Sequence, residues 1–156
     1  MIASLSGTVK SFSLTTAVVE VGGVGIAVQV SGKFASNLQI GKKCEVFTSL
    51  VVRQDALTLF GFESLAAKDL FELLQTVSGI GPKVSQSALS IFEPEELIAA
   101  ISNGENKSLE KIPGLGKKGA SRLILELKDK VAPTKINSAV WRAPRSEEHT
   151  PELQSH

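Results

Sequence analysis

The feature that most constrains this fold is an internal repeat with a period of 35 residues. Shifting the chain by that amount places VSGIGPKVSQSAL (77–89) on IPGLGKKGASRLI (112–124). A period near 35 is also found in tetratricopeptide arrays, but those need three or more copies and a different residue pattern. The shift aligns two glycines and one lysine of each copy: Gly79, Gly81 and Lys83 with Gly114, Gly116 and Lys118.

Each copy places a Gly-apolar-Gly hairpin directly before a helix that carries lysine in its first turn. Glycine lets the backbone approach a ligand closely, and the unpaired N–H groups and dipole of a helix N-terminus attract anions. A tight turn between two helices would explain one copy. It would not explain a lysine at the same offset in both. The repeat therefore predicts two phosphate-binding hairpins that recognise a nucleic-acid backbone without reading its bases.

The charge distribution favours the second hairpin. Because 17 Lys and Arg nearly balance 16 Asp and Glu, the chain cannot coat nucleic acid through bulk positive charge. Residues 63–106 carry two lysines against seven acids, whereas residues 107–131 carry six lysines and Arg122 against three acids. We therefore expect the basic surface around the second hairpin, with Lys117, Lys118 and Arg122 as its main cations.

The chain divides at Phe62. Up to that residue the apolar pattern has a period of two and predicts five short strands, with a short helical or irregular link over residues 31–41. This count fits a partly open barrel of the oligonucleotide/oligosaccharide-binding (OB) type or an SH3-like barrel. From residue 63 to 131 the period is 3.6, which predicts a compact group of short helices.

Composition and motifs exclude several classes of protein. A single cysteine, Cys44, excludes a disulfide scaffold and is predicted to be a semi-buried strand residue. Since no nucleophile–base pair, Walker-type loop or carboxylate cluster is present, we expect no catalytic residue, no metal and no cofactor. No apolar run approaches the ~18 residues that span a bilayer, and the first residues do not form a signal peptide. These patterns predict a cytoplasmic protein that does not bind membranes.

Several segments together resemble the RuvA family, the Holliday-junction recognition subunits of bacterial recombination. They are GIGPK (79–83), PGLGKKGASRLILELKDK (113–130), EVGGVGIAVQV (20–30), VFTSLVVRQDALTLFGF (46–62) and the MIASLSG start. The resemblance covers about residues 1–131. It implies two domains, an N-terminal OB-fold β-barrel over residues 1–62 that forms tetramers, followed by an all-α tandem helix-hairpin-helix domain over residues 63–131.

The resemblance implies a non-catalytic homotetramer that binds four-way DNA junctions. With the hexameric ATPase RuvB, which hydrolyses the ATP, it would drive branch migration in homologous recombination, DNA repair and the SOS response to DNA damage. The RuvC resolvase is a further possible partner. By the same resemblance, the DNA-binding residues would be Gly79, Gly81, Lys83, Gly114, Gly116, Lys117, Lys118 and Arg122.

The loop VVRQDALTL (51–59) resembles the acidic pin of the family, a hairpin that points at the junction centre. In the family the pin usually carries two acids, but here Gln54 takes the first position and only Asp55 remains. Negative charge at this place would repel phosphates and keep strands from settling across the crossover. Without the resemblance, Asp55 is an ordinary turn residue. Arg53, beside it, is expected either to contact DNA or to pair with Asp55.

Residues 132–156 do not fit the family pattern, in which a flexible linker leads to a small third domain that docks onto the ATPase. The segment has no sustained helical period, and RSEEHTPELQSH (145–156) resembles the translation of a common sequencing adapter. We expect either a disordered tail or a sequencing artefact in place of the linker and the third domain. The expected consequence is that junction binding is retained while coupling to RuvB is impaired.

Two other functions remain open from the sequence. One is a helix-hairpin-helix DNA repair enzyme, such as a glycosylase or nuclease, which would need a catalytic Lys/Asp pair or a cluster of metal-binding carboxylates. The other is a scaffold module that uses its barrel for protein contacts and does not bind DNA.

Overall fold

The structure, a computed structural model, describes residues 2–131, in which five strands are followed by a helical domain. The predicted tail at residues 132–156 lies outside the described residues. The strands and the helix between them are β1 (Ser4–Phe12), β2 (Thr16–Val21), β3 (Val24–Gln29), α1 (Gly32–Ser36), β4 (Lys43–Arg53) and β5 (Ala56–Phe62). The other helices are α2 (Leu65–Leu74), α3 (Pro82–Ile91), α4 (Pro94–Ser102), α5 (Asn106–Leu109) and α6 (Gly116–Leu127).

The five strands form a barrel in the order β1-β2-β3-β5-β4. Neighbouring strands are antiparallel except β3 and β5, which are parallel and meet at one residue pair, Gln29 with Phe60. A five-stranded barrel with a helix between its third and fourth strands is the OB-fold, so this interpretation is confirmed over the SH3-like one. The sequence favoured a partly open barrel. The structure closes it, although only through the short β3–β5 contact.

The barrel interior is filled by valines from alternate strand positions. Val9, Val19, Val28 and Val46 are each at most 1% exposed, as the period of two in the sequence predicts. Gly61 of β5 makes room for two of them, because a Cβ there would lie 2.4 Å from the Val28 Cγ1 and 2.6 Å from the Val46 Cγ1. No side chain fits at this position, so the close approach of three strands requires glycine.

The helical domain has its own core, formed by leucines and isoleucines at helical spacing. Leu74, Leu97, Ile101 and Leu123 are each at most 1% exposed and belong to one cluster. Pro94 is in the first turn of α4, where its missing N–H has no intrahelical partner to lose. The short helix α5 was not predicted. With only four residues, it is too short to show a clear apolar period.

Three phenylalanines join the two domains. The ring of Phe71, on α2, lies 5.0 Å from the Phe60 ring and 4.8 Å from the Phe62 ring, centroid to centroid, and is fully buried. We call these residues the interdomain aromatic cluster. Tilted ring pairs at this separation add to the gain from burying apolar area. The cluster therefore fixes the helical domain against strand β5.

Polar contacts surround the interdomain aromatic cluster. The Ser49 hydroxyl of β4 donates a hydrogen bond of 2.8 Å to the Glu72 Oε2 of α2. Lys33 of α1 forms an ion pair with Glu93 at the start of α4. Both side chains of that ion pair are largely exposed, so we expect it to contribute little to stability. The buried aromatic contact is the main tie between the domains.

We predict that Phe71→Ala lowers the free energy of unfolding by about 3 kcal/mol, because it empties a buried aromatic site that both domains line. Phe12→Ala is the control, since Phe12 is 40% exposed and its loss should cost less than about 1 kcal/mol. Urea unfolding followed by circular dichroism measures both. Equal losses for the two variants would contradict the role given to the cluster.

Candidate nucleic-acid interface

The two predicted hairpins have the same backbone geometry. Their turns span residues 77–80 and 112–115, and each hairpin ends one residue later, at Gly81 or Gly116. In each, the N–H of the fourth residue donates to the carbonyl of the first at 3.1 Å. The third residue, Gly79 or Gly114, has a φ of +87°, as a type II turn requires. The repeat seen in the sequence is thus a repeat of turn conformation, and these two glycines are required by that conformation.

The second glycine of each copy differs between the hairpins. Gly81 precedes α3 with extended backbone at φ −103°, whereas Gly116 begins α6 with φ +73°. Glycine at position 81 is therefore not required by backbone conformation, while at position 116 it is. The shift by 35 residues aligns Gly81 with Gly116 and makes them look equivalent. Sequence alone does not distinguish a glycine that is needed for its φ from one that keeps a surface open.

The apolar residue between the glycines anchors each hairpin. Ile80 is 7% exposed and belongs to the core of the helical domain. Leu115 is partly buried and packs against the same core. This anchoring explains how the turns hold a fixed position on the surface.

The helices that follow the hairpins have no side-chain cap. Gly81 precedes α3 and Leu115 precedes α6, and neither residue has a side-chain acceptor. No side chain at these positions therefore binds the N–H groups of the first turn. By contrast, Ser31 caps α1 and Ser64 caps α2 through their hydroxyl groups. The first-turn N–H groups of α3 and α6 are therefore available to an external acceptor, and the helix dipole favours an anion there.

Exposed lysines lie in the first turn of both uncapped helices. Lys83 lies in α3, and Lys117 and Lys118 lie in α6. The α6 lysines line a shallow surface groove of about 380 Å³ together with Ser121 and Arg122. The structure thus brings the predicted cations of the second hairpin to one side of α6.

Arg122 connects the two hairpins. Although it belongs to α6, after the second hairpin, its Nη1 donates a hydrogen bond of 3.2 Å to the Ser78 carbonyl in the first hairpin. The same atom lies 3.7 Å from the position that a Cβ on Gly79 would take. The sequence placed Arg122 near the second hairpin, and the structure places its guanidinium at the first.

Arg53 also lies at the first hairpin. Its Nη2 is 3.7 Å from the position that a Cβ on Gly81 would take, and within residues 2–131 no ion pair joins it to Asp55. The sequence left both partners open for this residue. Sequence reasoning did not place it at a hairpin, because no local pattern links strand β4 to a turn about 30 residues later.

The predicted pin is the turn between β4 and β5. Gln54 and Asp55 are exposed and form a two-residue connection above the last strand pair, Arg53 with Ala56. Since neither residue has a positive φ, the connection is not one of the mirror-image turns preferred in two-residue hairpins. The single carboxylate of Asp55 is thus carried at the tip of a strand pair that borders the helical domain.

Cys44 lies partly buried in strand β4, as predicted, and burial raises the pKa of its thiol. A raised pKa lowers the thiolate fraction and hence the reactivity of this side chain. In the described part of the chain, no group of three His, Cys, Asp or Glu residues could hold a metal ion. None of the helices between residues 2 and 131 is long and apolar enough to cross a membrane.

An OB barrel followed by two type II hairpins, each ahead of an uncapped basic helix, defines the class of tandem helix-hairpin-helix proteins with an OB domain. Comparison with family models agrees. Residues 1–61 match the model described as the RuvA N terminal domain, and residues 71–129 match the SAM-like helix-hairpin-helix tandem.

Curated relatives are identical to this chain at about half of the aligned positions. The "Holliday junction branch migration complex subunit RuvA" of Salinispora arenicola is 49% identical over 136 residues, which are 87% of this chain and 68% of that protein. The protein of the same name from Streptomyces coelicolor is 50% identical over 131 residues, covering 84% of this chain and 65% of that protein. The chain thus spans about two thirds of the length of these relatives, and it belongs to the RuvA family.

We predict different effects of the same substitution at the two glycines of the first hairpin. Gly79→Ala should cost about 1–2 kcal/mol of stability, because alanine is strained at positive φ. Gly81→Ala should stay within about 0.5 kcal/mol of the original, since its backbone is extended. Both positions have the same free space, with the nearest heavy atom at 3.7 Å from the added Cβ. Urea unfolding of the two variants measures the difference, and similar stabilities would contradict the assigned turn geometry.

Proposed function

We propose that this chain binds four-way (Holliday) DNA junctions as a homotetramer and, with the RuvB ATPase, promotes branch migration in homologous recombination and DNA repair. It acts in the cytoplasm as a non-catalytic DNA-binding subunit, with RuvC as a possible further partner. The names of the curated relatives support the junction and the branch migration complex. The tetramer and the partner proteins follow from the family resemblance.

The observation that carries the proposal is the pair of uncapped helix N-termini behind type II hairpins. Each presents backbone N–H groups and exposed lysines at one point, and backbone donors with a nearby cation form a phosphate site. Gly79, Gly81 and Lys83 supply the first site, and Gly114, Gly116, Lys117 and Lys118 supply the second. Arg122 supports the first hairpin through its hydrogen bond to Ser78.

The pin would act on the DNA strands at the crossover and not on the duplex arms. Asp55 places a negative charge at an exposed tip, where it repels phosphates that approach the crossover. Gln54 is uncharged, so a tetramer carries four such charges where two acids per pin would supply eight. We propose that the pin keeps the strands apart at the junction centre with a weaker field than in relatives that carry both acids.

The helix-hairpin-helix geometry itself is also compatible with a DNA repair enzyme that grips the duplex backbone. Such an enzyme would convert DNA to products, whereas the proposed subunit leaves the junction intact. A scaffold module would bind no DNA. Incubating the chain with a synthetic four-way junction and with linear duplex separates the three functions, because each gives a different gel pattern.

We predict that Lys117→Ala/Lys118→Ala weakens junction binding and its dependence on salt. Eight hairpins in a tetramer, with one phosphate each, give a log–log salt slope of about −7, and losing the second hairpin of each subunit should make the slope shallower by about 4. Fluorescence anisotropy with a labelled four-way junction over a salt series measures this slope.

The matched control is Lys42→Ala/Lys43→Ala, which removes two adjacent exposed lysines at the end of β4 opposite the pin. We expect the control to keep the slope of the unmodified chain. An equal change in both variants would show that overall charge determines binding, and would contradict a phosphate site at the second hairpin.

We predict that Asp55→Asn strengthens junction binding, because it removes the repulsion between the pin and the phosphates at the crossover. Binding to linear duplex, which has no crossover, should stay the same. Anisotropy titrations with both DNAs at one salt concentration measure the ratio of affinities. A parallel increase for both DNAs would assign Asp55 to the duplex-binding surface and contradict its role as a pin.

Coupling to the ATPase is tested separately from DNA binding. Purified RuvB, a synthetic junction and ATP are mixed with the chain, and separation of the junction arms is followed by gel. Faster arm separation in the presence of the chain supports a role in branch migration, and full acceleration would contradict the impaired coupling expected from residues 132–156. Junction binding without any such acceleration would restrict the function of this chain to recognition.

A further inference from the structure

We propose that Arg53 of the barrel completes the phosphate site of the first hairpin, so that one DNA phosphate is held by both domains. The inference rests on the proposed function, because it assumes that the first hairpin binds a DNA backbone. It adds to that function a binding residue from outside the helix-hairpin-helix domain.

The position of Arg53 in its strand directs it toward the helical domain. Side chains alternate between the two faces of a strand, so Arg53 and Val51 share one face. In the register of β4 with β5, Val51 lies opposite Thr58. These residues line one cleft of about 660 Å³ with Gly81 and with Pro82 and Lys83, the first residues of α3. The cleft therefore lies between the pin hairpin and the N-terminus of α3, where the first DNA-binding hairpin ends.

The guanidinium of Arg53 is free to bind an anion in this cleft. The side chain is exposed, it forms no ion pair with a described residue, and its Nη2 lies beside Gly81. A guanidinium offers several N–H donors in a plane, which suits two oxygens of one phosphate. Backbone donors at the start of α3 and the Arg53 fork thus lie next to the same space.

Gln86 lines this cleft and also a second groove that contains Ser31 and Glu93. Its side-chain Nε2 is buried with no hydrogen-bond partner among the described residues. Buried polar groups in proteins almost always have partners, including bound ligands or water. An acceptor that enters from the cleft is one way in which this amide group could be paired.

Charge gives the reason why the first hairpin needs help from another domain. It lies in a segment with seven acids and two lysines, and Lys83 is the one cation in its first helical turn. The second hairpin has Lys117 and Lys118 of its own. Arg53 from β4 and Arg122 from α6 bring two further positive charges to the first hairpin, so that the two hairpins become similar in charge only after folding.

The shared site would also orient the DNA relative to the pin. Arg53 is two residues before Asp55, so one hairpin carries an attractive charge at the cleft and a repulsive charge at its tip. A phosphate held at the cleft would place the following part of the strand beside the pin. In this way the barrel would determine where each arm leaves the junction centre.

Arg53→Gln tests the proposal, with Lys43→Gln as the control because it removes one exposed charge from the other end of the same strand. Binding to a synthetic four-way junction is measured by anisotropy over a salt series, and thermal unfolding checks the fold. Arg53→Gln should weaken binding by at least about tenfold and make the salt slope shallower by about 4, one phosphate for each of four subunits. Lys43→Gln should change neither.

Double variants show whether Arg53 and the first hairpin hold the same phosphate. Arg53→Gln/Lys83→Gln should lose less affinity than the product of its two single losses, because groups that share one ligand are not independent. Arg53→Gln/Lys118→Gln should equal the product of its single losses. Arg53→Lys, which keeps the charge but not the fork, should retain the slope and lose part of the affinity.

The outcomes separate this inference from the proposed function. If the unmodified chain binds the junction and Arg53→Gln binds equally well, or if both double variants equal the product of their single losses, the shared site is wrong and the proposed function stands. If the unmodified chain binds no junction, the proposed function fails and the inference fails with it.

Discussion

The contact of Phe71 with Phe60 and Phe62 is the interaction on which the rest of this structure depends. Each domain has its own apolar core, so each could satisfy its burial requirement alone. The predicted DNA surface, however, includes the pin on the barrel and the hairpins on the helices. A buried aromatic contact holds these parts at fixed positions, whereas the exposed ion pair of Lys33 with Glu93 could not, because water screens it. The interdomain aromatic cluster thus converts two small domains into one binding surface.

The helical domain shows how a repeated turn and an unrepeated charge pattern combine. Gly79 and Gly114 have the same φ and the same hydrogen bond across the turn, so the backbone donors are duplicated. The cations are not duplicated along the chain, since the acids cluster before residue 107. Arg53 and Arg122 reach the first hairpin from other elements. Backbone geometry is therefore supplied locally, and part of the charge is supplied through tertiary structure.

Much of the fold could be predicted because its signals are local. Alternating apolar residues indicated the five strands, and the buried valines of the barrel confirm that period. The predicted helical segment from residue 63 to 131 was also confirmed. Closure of the barrel was missed, since it depends on the contact of Gln29 with Phe60, far apart in sequence. The assignment of DNA contacts to the hairpin residues stays a prediction.

The sequence by itself determined the two hairpins, because glycine at the third position is a local requirement of a type II turn, and the apolar residue after it anchors the turn in the core. It also determined the strands and helices, because buried apolar residues recur with a period of two in the strands and 3.6 in the helices. Only the tertiary structure decided where the two arginines lie. A long, flexible side chain has no sequence periodicity that names its partner, so the position of Arg53 beside Gly81 and of Arg122 on Ser78 depends on how the barrel and the helices pack together.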